Sequence, residues 1–125
     1  MKARARALPK GQMNKLETRY AGELELRRRA GEIIAWYFEP VQWLLCKVTS
    51  YRPDFMVVML DGTVEFHEAK GFWDEKNRIK TKLAASKFPW FRFVGVQWSK
   101  RGGWSFEEFP ADGDPAAQVA AMGGR

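Results

Sequence analysis

The chain has 125 residues, which suits one domain with one modest core, and its 46% hydrophobic content with six tryptophans argues for a folded protein. Nothing in it approaches the roughly 20 consecutive apolar residues that span a bilayer, and the basic start "MKARARALPKGQMNK" lacks the apolar block of a secretory signal. A single cysteine, Cys46, excludes an internal disulfide or a cysteine-based zinc site and makes a reducing cytoplasm the default. In the apolar run "VQWLLCKV" it reads as a small core hydrophobe rather than a nucleophile.

The formal charge of +6 is unevenly spread: residues 1–29 hold nine basic and three acidic side chains, and the rest of the chain is balanced. Such an end suits a polyanion, because neutralising phosphates releases counterions and drives binding. A solvated helix surface with a solubilising tail accounts for the same charges.

In chain order, residues 1–12 read as a flexible basic arm. Asn14 can cap a helix, with Glu17 three residues on as in a capping box and Leu16, Tyr20 and Leu24 on one face. Gly31 is its stop, near Ala30. "EIIAWYFEP" and "VQWLLCKV" read as strands, as do "DFMVVML" and "TVEFHEAK", joined at the hairpin signal Asp61-Gly62. "DEKNRIKTKLAASKF" reads as a second helix, capped by Asp74, with Ile79 and Leu83 on its apolar stripe and Pro89 at its end. "FRFVGVQW" is a further strand and "WSFEEF" a short edge strand. Residues 110–125, small, polar and rich in Gly and Pro, read as a disordered tail. The sum is one mixed α/β domain over residues 13–109, ordered helix, strands, helix, strand around a central mixed sheet.

Charged residues at the ends of apolar strands then need a reason. Asp54 opens one strand; Glu68 and Lys70 close the next and, two apart, share a face, with Ala69 turned away. Two carboxylates on neighbouring strands can hold a hard cation such as Mg²⁺, and a lysine beside them can orient water or offset charge on a phosphate. Register tests this. A two-residue Asp61-Gly62 turn pairs Leu60 with Thr63 and sets Asp54 opposite Ala69. A three-residue loop with Gly62 left-handed pairs Met59 with Thr63 and sets Asp54 opposite Glu68. The apolar pattern tolerates both registers; the chemistry prefers the second, which is the register expected, or a bulge with the same effect.

"RPDF" followed by "HEAKG" resembles the signature of the PD-(D/E)XK nuclease superfamily, matched by Pro53, Asp54, Glu68 and Lys70. With "NKLETRYAGEL", "FEPVQWLL", "YRPDFMVVMLDG" and "EFHEAKGFW", residues 13–98 resemble a family of small phage-encoded proteins of unassigned function in that superfamily. The phage endonuclease I group of Holliday-junction resolvases is similar in size and plan. The resemblance implies a restriction-endonuclease-like core and hydrolysis of DNA phosphodiesters with Mg²⁺, or Mn²⁺ as substitute. It implies metal ligation by Asp54, Glu68 and the Ala69 carbonyl, and a fourth acid from the first helix, for which Glu17 is the matching position. Glu17 also has an ordinary role as a capping residue. Lys70 would position water or neutralise the scissile phosphate. Branched or recombination-intermediate DNA is the substrate so implied, a homodimer is expected for paired cuts, and a phage-encoded protein would act in the host cytoplasm. A non-catalytic DNA-binding or protein-interaction module that keeps the fold is the alternative.

Candidate DNA contacts are Arg4, Arg6, Lys10, Lys15, Arg19, Arg52, Lys76 and Lys80, the last two sharing a helix face. Phe72 and Trp73 could stack on a splayed base, although core packing is the commoner fate of such aromatics. His67 should face away from Glu68, packed or at the surface, with Glu65 on its side.

Overall fold

The computed structural model describes residues 11–109. Helix α1 spans Lys15–Arg29, followed by β1 (Ile33–Phe38), β2 (Trp43–Cys46), β3 (Thr49–Tyr51), β4 (Phe55–Met59), β5 (Val64–Lys70), α2 (Glu75–Lys87), β6 (Arg92–Ser99) and β7 (Gly103–Phe109). The expectations for the tail at residues 110–125, and for all of the basic arm except Gly11 and Gln12, lie outside the described residues.

Five strands form a mixed sheet in the order β1-β4-β5-β6-β7. β1, β4 and β5 run antiparallel in turn; β5 and β6 are parallel, with α2 as the connection; β7 returns antiparallel at the edge. Strand alternation divides the sheet into two faces. Phe55, Val57, Ala69 and Val96 turn towards Tyr20, Ala21 and Leu24 of α1. Phe66 and Phe93 turn the other way, towards Ala84 and Ala85 of α2 and Leu45 and Tyr51 of the β2–β3 hairpin. The molecule is thus three layers deep, with charged side chains at one end of the middle layer.

The first helix forms where the sequence places it. The Asn14 side chain accepts from the Glu17 N–H at 2.7 Å, and the Glu17 carboxylate accepts from the Asn14 N–H at 2.9 Å, so two orphan donors are satisfied reciprocally. At the other end Gly31, at φ 78, lets its own N–H and that of Glu32 return to the Arg28 and Arg27 carbonyls.

Three expectations are corrected. "VQWLLCKV" is not one strand of the main sheet; the chain turns at Lys47-Val48, and β2 and β3 make a separate two-stranded sheet. Cys46 is consequently exposed beside that turn rather than packed in the core. On α2, Ile79 and Leu83 are 48% and 51% exposed, and the buried side is Thr81, Ala84 and Ala85. Small side chains let the helix lie close against the aromatic layer of Phe66 and Phe93. The Thr81 hydroxyl can be buried because it donates to the Asn77 carbonyl at 2.9 Å.

Candidate active site

The β4–β5 connection is the three-residue loop Leu60-Asp61-Gly62. Met59 pairs with Thr63, its N–H donating to the Thr63 carbonyl at 2.8 Å, and Gly62 takes φ 87, where a side chain would be strained. The Asp61 carboxylate fixes the turn by accepting from the Thr63 N–H at 2.9 Å and hydroxyl at 2.7 Å. The register runs unbroken through Val58–Val64, Val57–Glu65, Met56–Phe66 and Phe55–His67. One residue further it sets Asp54 opposite Glu68, on the face shared with Lys70.

Pro53 explains how the ladder opens here. Hydrogen-bonded pairs alternate from Met59–Thr63, so Pro53 and Ala69 would make the next one. Proline has no N–H, so the ladder supplies no donor to the Ala69 carbonyl. The Ala69 N–H is taken by the Asp54 Oδ2 at 2.9 Å. A carboxylate has replaced a strand, and a carbonyl is left without its ladder partner beside it.

Both acids are buried, Asp54 at 5% exposure and Glu68 at 6%. The Glu68 Oε1 accepts from the Asp54 N–H and from the Tyr51 hydroxyl, each at 3.2 Å, and its Oε2 pairs with the Lys70 Nζ at 2.9 Å. Burial first, and then the Glu68 charge, push the Asp54 carboxyl up to about 9, against the pull of Lys70; the Glu17 charge adds to the upward push. Burial also raises Glu68, with Lys70 acting the other way. Burial would lower the Lys70 ammonium, but Glu68 and Asp54 outweigh it and hold the group above its usual value. Tyr51 is pushed well above its ordinary range by burial, with the Glu68 charge adding to it, so its hydroxyl stays a donor.

The donor set fits a hard divalent cation. Two buried carboxylates share one lysine, and a backbone carbonyl without its ladder donor adjoins them, all oxygen ligands of the kind Mg²⁺ and Mn²⁺ take. Glu17 lies close enough for its charge to act on Asp54 and Lys70. Its carboxylate is engaged at the α1 cap, and no group of three His, Cys, Asp or Glu side chains in metal-ligating arrangement occurs among the described residues.

Tyr51 is a member of the site that sequence reasoning missed. The signal was only that it stands three residues before Asp54; the contact depends on β3 folding over the sheet. The opposite face carries a second polar chain. The Tyr20 hydroxyl meets the His67 Nδ1 at 2.6 Å, and the His67 Nε2 meets the Glu65 Oε1 at 2.9 Å. Arg92 then links Glu65 at 3.5 Å to Glu108 at 3.2 Å. His67 is therefore a packed residue facing away from Glu68, and no part of the carboxylate pair.

Of the candidate DNA contacts, Lys15 and Lys76 are exposed and Lys80 is half-buried. Arg19 stacks over the Trp98 ring at 4.5 Å, and Arg52 donates to the Gln42 side chain at 2.7 Å. Arg4, Arg6 and Lys10 lie outside the described residues.

No protein-family model, curated protein or solved structure matches the chain. No helix among the described residues is long and apolar enough to cross a membrane.

The charge arrangement predicts an unusual pH dependence. The folded-state value of Asp54, about 9, lies above its ordinary 3.8, so the folded protein holds this proton more tightly than the unfolded chain does. The stability it contributes is complete below the ordinary value and is lost as pH rises through the folded one. Without divalent cation, the thermal midpoint should fall as pH rises from about 5 to about 9. Asp54→Asn keeps an acceptor for the Ala69 N–H and should flatten that fall, melting several degrees higher than the native chain at alkaline pH. Adding Mg²⁺ should stabilise the native chain and leave the Asn variant unchanged. Melting curves with and without Mg²⁺ test both; parallel pH profiles for the two proteins would refute the assignment.

Proposed function

We propose that the chain is a restriction-endonuclease-like, metal-dependent endodeoxyribonuclease that hydrolyses phosphodiester bonds, with branched or recombination-intermediate DNA as its substrate. The observation that carries this reading is the three-residue loop. It sets two buried carboxylates and a lysine together at one end of β4 and β5.

Asp54, Glu68 and the Ala69 carbonyl would hold Mg²⁺, with Mn²⁺ as substitute. When bound there, such an ion would supply Lewis-acid stabilisation of charge on the phosphate and would ease deprotonation of the attacking water. Lys70 is held charged by the two acids, so its part is that of a cation and hydrogen-bond donor towards a phosphate oxygen or the water, and not that of a base. The Tyr51 hydroxyl and Asp54 N–H fix one oxygen of Glu68, so the carboxylate needs no reorganisation when substrate arrives. Hydrolysis joins the water oxygen to phosphorus, breaks one P–O ester bond and returns a proton to the leaving oxygen. Lys15, Lys76 and Lys80 would contact backbone phosphates without reading sequence, and two copies would be needed to cut two strands of a junction.

One observation favours a second reading, a DNA-binding module that keeps the fold without cutting: the Glu17 carboxylate accepts from the Asn14 N–H, the ordinary role of a helix-capping acid. A panel of linear, nicked, flapped and four-way DNA with Mg²⁺ or Mn²⁺ separates the two. The native chain should cut at least one member, and Lys70→Ala should cut it about 10²-fold more slowly. Inactivity of the native chain across the panel with both metals would leave only the binding module.

A further inference from the structure

The loop that leaves β5 carries a strongly exposed apolar side chain just after Lys70. Phe72, two residues after Lys70, is 76% exposed. Its display is built, because the backbone is clamped on both sides. Before it, the Gly71 carbonyl accepts from the Gln97 side chain at 3.2 Å. After it, Trp73 lies in a notch over Gly95, where a Cβ would stand 2.7 Å from the indole, and packs on Phe109 with ring centroids 5.3 Å apart. Asp74 then caps α2 by accepting from the Asn77 N–H at 2.8 Å. Of two adjacent aromatics, one is therefore locked inward and the other held out in water on a fixed stem.

An exposed aromatic ring on a tethered stem, next to a lysine at the candidate site, suits a nucleic-acid partner that offers a free base face. Lys70 precedes Phe72 at the carboxylate pair, and the exposed Lys76 follows it in the first turn of α2, after the exposed acids Asp74 and Glu75. Phosphates on either side of an unpaired nucleotide would meet the lysines while its base stacks on the ring, an arrangement indifferent to base identity. A base inside an intact duplex is already stacked on its neighbours and presents no free face. We propose that Phe72 is a specificity-determining residue that stacks on an unpaired base next to the scissile phosphate, selecting DNA with a single-stranded or branched element over continuous duplex. This inference rests on the nuclease reading, but the stacking can be tested without cleavage.

The test uses the full chain carrying Glu68→Gln, in chelator, so that binding is read without cutting. The probes are a four-way junction, a flapped duplex and a linear duplex, each with 2-aminopurine at one position, at the branch in the first two. With Phe72 present, binding should change the 2-aminopurine signal at the branch and leave the linear duplex signal flat. Phe72→Ala should weaken binding to the branched probes about tenfold or more and to the linear duplex less than twofold, and Phe72→Trp should retain the preference. Because the side chain is exposed, the Ala variant should melt with the parent. Equal loss, or no loss, on all three probes overturns the proposal. If the binding preference depends on Phe72 but the native chain cuts nothing with Mg²⁺ or Mn²⁺, the hydrolysis reading fails and the stacking stands. If the native chain cuts and Phe72→Ala cuts with the same substrate preference, the stacking fails and hydrolysis stands. A chain that binds no DNA overturns both.

Discussion

Glu68→Gln should lower metal-dependent DNA cleavage on the order of 10³-fold, with little change in the fold. Glutamine keeps a carbonyl oxygen where the Glu68 Oε1 accepts from the Asp54 N–H and the Tyr51 hydroxyl, so neither donor is orphaned. It loses the negative charge that pairs with Lys70 and that a cation would meet. Alanine at the same position is the harsher change, since it leaves two buried donors and an ammonium facing a void, and its loss of activity would mix chemistry with misfolding. The Gln variant should therefore show native circular dichroism and no stabilisation by Mg²⁺. Single-turnover cleavage at saturating DNA measures the effect. Cleavage within a fewfold of native would remove Glu68 from the reaction.

The largest stability effect should come from Phe55→Ala, at about 3–5 kcal/mol. Phe55 is fully buried at the centre of the α1 face, with ring centroids 5.4 Å from Tyr20, 5.3 Å from Phe38 and 6.0 Å from Trp36. Removing it takes away burial and three aromatic contacts at once and leaves a cavity that strands β1 and β4, pinned by their ladder, cannot close. A chain this size has a total stability of roughly 5–15 kcal/mol, so the variant should lose a large share of it and melt well below the native chain. Urea unfolding followed by tryptophan fluorescence gives the difference. A midpoint shift worth less than about 1 kcal/mol would mean that this layer repacks freely, contrary to its buried, interlocked rings.

Much of the site was legible because it rests on local chemistry. The spacing of Glu68 and Lys70 puts both on one strand face whatever the rest of the chain does. The loop at Asp61-Gly62 was ambiguous by pattern alone, because "FMVVM" is apolar on both faces and would accept either register. What settled the geometry is visible in the turn itself: Asp61 binding Thr63, and Gly62 left-handed. The α1 cap was legible for the same reason, since a capping box involves only neighbours.

What escaped reading depends on distant partners. Nothing in "LLCKVTSY" marks a turn by Gly, Pro, Asn or Asp, so the β2–β3 hairpin looked like one strand. Its role as a flap that delivers Tyr51 to Glu68 could not be inferred from composition. The packing side of α2 was misread because hydrophobicity pointed to Ile79 and Leu83. Proximity to a wall of Phe66 and Phe93 favours the smallest side chains instead, and that wall lies on other strands.

The notch at Gly95 has a wider consequence. Trp73, from the connection after β5, fills the space that any larger residue on β6 would occupy, and it leans on Phe109, the last residue of β7. The edge of the sheet and the rim of the carboxylate pair are therefore tied by one indole, and fraying of β7 would release Trp73 and with it the loop that carries Phe72. Amide exchange along β7 and at Gly71 to Trp73 should report a single opening event, which makes this pair of segments one cooperative unit even though residues 74–102 lie between them in the chain.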